Sequence, residues 1–133
     1  MSGKKILIID DDRDLLLGLT PRLKVNGYQV SCATDVTSAM AVALKELPDL
    51  IILDLGLPPG DGFDVLGQIK GLAGLATTPI IVLSARDPVG NERRALDGGA
   101  VAFFQKPPDN YEFLNAIRRT LGEAIVLSTF SKT

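Results

Sequence analysis

The chain has no histidine. It therefore cannot carry a phosphohistidine, and it cannot build a His-based catalytic triad or a His-based zinc site. Its one cysteine, Cys32, rules out an intrachain disulfide, which suits a reducing cytoplasm. No apolar run approaches the roughly 20 residues needed to cross a bilayer. The start carries Lys4 and Lys5, but the apolar run that follows, Ile6-Leu7-Ile8-Ile9, is too short for a signal peptide. Positive charge is not in excess. Lys and Arg number 14 against 16 Asp and Glu, net −2, which argues against a nucleic-acid surface on this domain. Internal repeats and low-complexity stretches are also missing. The expectation is a cytoplasmic domain that contacts neither membrane nor nucleic acid.

What is present is a regular alternation. The length of 133 residues fits one domain, and 46% hydrophobic residues suffice for a core. Three short apolar runs end in polar residues: Ile6 to Ile9 before Asp10, Leu50 to Leu53 before Asp54, and Ile80 to Leu83 before Ser84. Such runs read as strands buried on both faces. Tyr28 to Ala33 alternates and reads as an edge strand, and Val101 to Gln105 as a fifth strand. Amphipathic stretches separate them: Leu16, Leu19 and Leu23, with Pro21 expected to kink or shorten the helix; Ala39, Ala43 and Leu47, stopped by Pro48; Phe63, Leu66 and Ile69; Asn91 to Asp97, closed by Gly98-Gly99; and Leu114, Ile117 and Leu121 behind a capping-box-like Asp109-Asn110-Tyr111-Glu112. Strands alternating with helices predict an α/β fold: a single doubly wound, five-stranded parallel sheet of order 2-1-3-4-5, flavodoxin-like, with five helices on two faces.

In that topology the polar strand ends share one edge. Asp10 and Asp11 follow strand one, Asp54 strand three, Ser84 strand four and Lys106 strand five. Strands one and three are neighbours, so Asp10, Asp11 and Asp54 converge. Clustered carboxylates repel one another, and magnesium, which takes few carboxylates plus waters and a phosphate, is the natural partner. An aspartate there can attack phosphorus to form an acyl phosphate. Lys106 supplies a second cation and Ser84 a hydroxyl. Singly these residues have plain readings: Asp12 caps the first helix, Ser84 ends a strand, Lys106 is a solvated charge. Their joint placement favours a shared site. The Lys106-Pro107 bond is expected to be cis, aiming Lys106 over the strand ends, because only bonds before proline tolerate that geometry at modest cost.

The motifs Ile6 to Asp12, Pro48 to Asp54, Leu57-Pro58-Pro59-Gly60-Asp61-Gly62, Pro79 to Ala85, Gly98-Gly99-Ala100 and Lys106-Pro107 together resemble the receiver domains of two-component response regulators. The resemblance runs from Lys4 to Leu121. It implies Asp54 as phosphoacceptor, Asp11 as direct Mg2+ ligand, Asp10 holding metal-bound water, and the Gly56 carbonyl completing the protein ligands. Ser84 and Lys106 would bind phosphoryl oxygens, and Phe103 would reorient as the surface of the fourth helix, fifth strand and fifth helix switches. The donor would be a sensor histidine kinase or phosphotransfer protein, and the signal would pass to a downstream output domain or protein. Such a domain is no enzyme beyond catalysing its own phosphorylation and slow dephosphorylation.

Some positions depart from common family versions. Gly56 is often larger, Arg86 stands where phosphoryl lifetime is tuned, and Pro108 stands where Phe is frequent. Val101-Ala102 replaces acids that pair across many dimers, which weakens that dimer type while leaving a homodimer possible. A haloacid-dehalogenase-like phosphatase would need an acid at Gly56, a flavin module would need a phosphate loop where the aspartates stand, and a pseudo-receiver would lack a site residue. The receiver is placed at residues 1–122. Residues 123–133 read as a tail, a helix extension or a linker.

Overall fold

The computed structural model describes residues 3–57 and 61–125. Five strands alternate with five helices: β1 (Lys5–Ile9), α1 (Arg13–Val25), β2 (Gln29–Ala33), α2 (Val36–Glu46), β3 (Leu50–Leu53), α3 (Gly62–Lys70), β4 (Ile80–Ser84), α4 (Pro88–Asp97), β5 (Ala102–Gln105) and α5 (Asn110–Thr120). All pairings are parallel, in the order β2-β1-β3-β4-β5. This is the doubly wound, flavodoxin-like arrangement that the alternation predicts.

Residues of one strand serve opposite faces, as the twofold pleat requires. Ile6 and Ile8 join Leu19 and Leu23 of α1 and Phe113 and Ile117 of α5. Leu7 and Ile9 join Ala39 and Ala43 of α2, Val65, Leu66 and Ile69 of α3, and Ala95 of α4. The sheet is thus covered on both sides, which is why β1, β3 and β4 are apolar at nearly every position. Each fully buried aliphatic side chain contributes roughly 1.5–3 kcal/mol. Phe103 and Phe104 divide between the faces: Phe103 packs on the α2–α3–α4 side, and Phe104 meets Phe113 edge-on, ring centroids 5.2 Å apart.

Several local expectations change. The α1 helix runs through Pro21, which lies on the solvent side with Leu17, so water can meet the carbonyl that proline leaves without a donor. Leu47 leaves the α2 stripe: it caps the helix in a left-handed conformation, φ 47, and is 56% exposed. Pro48 disfavours helical backbone in the residue before it, which explains the exit. Regular α4 geometry begins near Asn91, yet a broken first turn extends back to Pro88, with Val89 extended and Gly90 at φ +77. Val101 lies outside β5 and is half exposed.

Gly62 is fixed by close approach. A Cβ there would stand 2.3 Å from the Leu55 Cα, and the Gly62 N–H donates to the Leu55 carbonyl at 2.9 Å. The chain after β3 therefore folds back tightly, keeping Asp54 at the edge of the sheet. Gly60, a second glycine suited to a turn by its backbone freedom, lies outside the described residues. At the other end, α5 does not extend into the tail. Gly122, at φ +73, donates to Arg119, and Glu123 donates to Arg118, a Schellman closure.

Candidate functional site

The carboxyl ends of β1, β3, β4 and β5 bring the polar residues to one edge. Asp10 is 1% exposed, Asp54 7% and Ser84 1%, whereas Asp11 is exposed. Oxygens of Asp10, Asp11 and Asp54 lie within 4.8 Å of one another. Asp54 is held by its own N–H, which donates to the Ile9 carbonyl at 2.9 Å, and its Oδ1 accepts from the Gly56 N–H at 3.2 Å. Gly56 leaves open space at the carboxylate, since a Cβ there would lie 3.6 Å from Asp54 Oδ2.

Lys106 joins the acids. Its Nζ lies 2.9 Å from Asp10 Oδ2, 3.7 Å from Asp12 Oδ2 and 3.8 Å from Asp54 Oδ2. The Lys106 N–H donates to the Ser84 carbonyl at 2.7 Å, which registers the lysine against the end of β4, and the Lys106–Pro107 bond is cis. Burial alone would lower the ammonium pKa, but contact with Asp10 and the charges of Asp10, Asp54 and Asp12 raise it instead. Lys106 therefore stays charged at neutral pH.

Asp10 carries the largest electrostatic cost. Burial, opposed by Lys106 and reinforced by Asp54, pushes its carboxyl from the ordinary 3.8 up to about 6. Its Oδ1 accepts from the Asp12 N–H at 2.9 Å. Its buried Oδ2 faces the Lys106 ammonium at 2.9 Å. Hard carboxylate oxygens from three clustered acids, outnumbering the one lysine among them, fit a divalent cation of the magnesium class. Asp10, Asp11 and Asp54 are the groups that could hold it.

Asp12 does two things, of which the sequence signalled one. Its Oδ1 caps α1 by accepting from the Leu15 N–H at 3.2 Å, while Oδ2 faces Lys106. Ser84 is turned along the chain: its Oγ accepts from the Arg86 N–H at 3.1 Å. Arg86 reaches back over the loop after β3, donating to the Leu55 carbonyl at 3.2 Å and standing 3.6 Å from Asp61. That tether has no sequence signature, because it depends on where two loops meet. Phe103 lies on β5, two strands from the end of β3 that carries Asp54, partly buried and packed on the α2–α3–α4 side.

A family model described as the response regulator receiver domain matches residues 6–118. The chain is 45% identical over 113 residues to the transcriptional regulatory protein KdpE of Mycobacterium tuberculosis, covering 85% of this chain and 49% of that protein. It is 37% identical over 117 residues to the response regulator MprA of Mycobacterium leprae, covering 88% and 50%. The chain thus spans about half the length of these curated relatives. A putative response regulator from Chloroflexus aurantiacus superposes with a TM-score of 0.85 at 27% identity, over 92% of this chain and 100% of that one. The BeF3-activated N-terminal receiver domain of Klebsiella pneumoniae RstA gives 0.81 at 26%, over 88% and 97%.

Proposed function

The chain belongs to the response regulator receiver domain family, and from that premise we propose that it accepts a phosphoryl group on Asp54 and signals by shifting the α4-β5-α5 face. The observation that carries this reading is the convergence of Asp10, Asp11, Asp54 and Lys106 at one sheet edge. An Asp54 carboxylate oxygen bonds to phosphorus as the phosphorus–nitrogen bond of a phosphohistidine breaks, and the imidazole leaves with the electron pair. Transfer of this kind depends on positioning and charge neutralisation rather than on covalent work by other groups. Asp11 and Asp54, the Gly56 carbonyl, and Asp10 through water are the groups assigned to Mg2+. The bound cation supplies positive charge that lets an anionic donor approach the acids.

Lys106 takes a phosphoryl oxygen in exchange for part of its contact with Asp10. Ser84 donates its hydroxyl hydrogen to another as its side chain turns inward, and Phe103 turns into the space this opens. The active arrangement is favoured because it binds the phosphoryl group better, not because a new fold is built. The phosphodonor is a sensor histidine kinase or phosphotransfer protein, and the recipient of the signal is an output domain or protein. No other enzymatic activity is assigned. We place the domain in the cytoplasm, acting on neither nucleic acid nor membrane itself and open to homodimerisation. Among the described residues, no helix is long and apolar enough to cross a membrane. The domain boundary is drawn after residue 122, with 123–133 as tail or linker.

Incubation with acetyl phosphate and magnesium tests the proposal by intact mass. The expected result is a gain of one phosphoryl group that disappears with chelator. Uptake that ignores the metal, or no uptake, would sink it.

A further inference from the structure

The break in α4 is braced from both sides by one aromatic ring. Phe63, in the first turn of α3, has the Arg94 guanidinium carbon 3.9 Å from its ring centroid and that of Arg86 at 5.6 Å. Arg86 precedes the non-helical pair Val89 and Gly90, and Arg94 follows it. Arg86 is also fixed to the Leu55 carbonyl and to Asp61, so the ring, the loop after β3 and the loop after β4 form one unit. Between the two arginines the Val89 N–H donates to Asp87 Oδ1 and Asn91 Nδ2 to the Asp87 carbonyl, both at 2.9 Å, but apolar packing is sparse: Val89 is 83% exposed, and a Cβ on Gly90 would meet nothing within 4 Å. Two like charges on one ring are tolerable because the ring offers negative potential and Asp61 stands beside Arg86.

We propose that Phe63, Arg86 and Arg94 form a latch that holds the start of α4 against α3 and opposes the switch. The inference rests on the function proposed above and names a regulator of that same site. Ser84 Oγ accepts from the Arg86 N–H while keeping its own hydrogen to donate, so a turn of Ser84 toward a phosphoryl group draws Arg86 with it. That motion pulls on a residue whose side chain is tied at three places. The latch therefore biases the equilibrium toward the resting arrangement, and loosening it raises the switched population before any phosphorylation.

Arg94 is exposed, so its replacement leaves the core intact. Arg94→Ala and Phe63→Leu should each speed phosphoryl uptake from acetyl phosphate by roughly two- to fivefold, the effect one exposed cation–π contact carries. Arg94→Lys keeps a cation over the ring and should restore the wild-type rate, which a generally loosened fold would not do. In the absence of any phosphodonor, both loosening variants should displace the amide resonances of residues 85–90, across the break from Arg94. Unchanged amides, or uptake rates equal to or below wild type, would overturn the latch. Wild-type protein that takes up no phosphoryl group would overturn the proposed function instead, while the amide comparison still decides the latch.

Discussion

At the amino-terminal edge of the sheet, polar groups, among them the buried Tyr28, meet partners suited to them. The Tyr28 hydroxyl donates to Glu123 Oε1 at 2.5 Å, Arg118 donates to Asn26 Oδ1 at 2.7 Å, and the Asp49 carboxylate accepts from the Lys5 N–H at 2.7 Å. Burial and the neighbouring Glu123 push the Tyr28 hydroxyl up to about 12, so it remains a neutral donor. At the carboxyl-terminal edge, Asp10 is just as buried, and its Oδ2 has the Lys106 ammonium, which is shared with Asp12 and Asp54. The same fold satisfies one edge and leaves the other under electrostatic tension. Burying a carboxylate beside two further acids costs stability even with one lysine among them, and under the function proposed above that cluster receives a cation and a phosphoryl group.

The contrast can be broken at the core between the edges. Ile8→Ala should cost about 2–5 kcal/mol, measured by urea denaturation, because Ile8 is fully buried in the α1–α5 cluster. A loss well below that would mean the sheet does not hold the two edges as one body. Within the acid edge, Asp11→Ala should weaken magnesium binding at least about tenfold, whereas Asp12→Ala should change it little, since Asp12 is committed to the α1 cap and Lys106. Isothermal titration giving the reverse order would shift the metal register by one residue.

The pH response separates the edges further. The folded-state pKa of Asp10 lies above its unfolded value, so the metal-free folded chain keeps this proton longer than the unfolded chain does. Wild-type stability relative to Asp10→Asn should therefore fall as pH climbs from about 4 to about 6, then level off. Denaturation in chelator across that range reads the difference, and a difference that rises or stays flat contradicts the tension assigned to Asp10. Tyr28→Phe, at the satisfied edge, should cost only about 1 kcal/mol and leave phosphoryl uptake unchanged. A changed uptake rate would show the two edges to be coupled.

The strands flanking the site were legible because β1, β3 and β4 are covered on both faces and so carry unbroken runs such as Ile6 to Ile9. The strand-end positions of Asp10, Asp54, Ser84 and Lys106 followed from those runs and the parallel topology. Contacts set by tertiary approach were not legible. Leu47 has helical spacing with Ala43, yet the proline after it turns the chain out. Pro21 reads as a helix breaker unless it is known to face water. The second oxygen of Asp12 and the side chain of Arg86 find partners about 94 and 31 residues away, beyond the reach of any local pattern.

The most direct measurement identifies the residue that carries the phosphoryl group. Borohydride reduces an acyl phosphate and spares a free carboxylate, so reduction after treatment with acetyl phosphate and magnesium marks the acceptor for peptide mapping. Conversion of Asp54 alone to homoserine, lost in Asp54→Asn, is the outcome expected. Reduction at Asp10, Asp11 or Asp12 at a comparable level, or at no aspartate at all, would contradict the account.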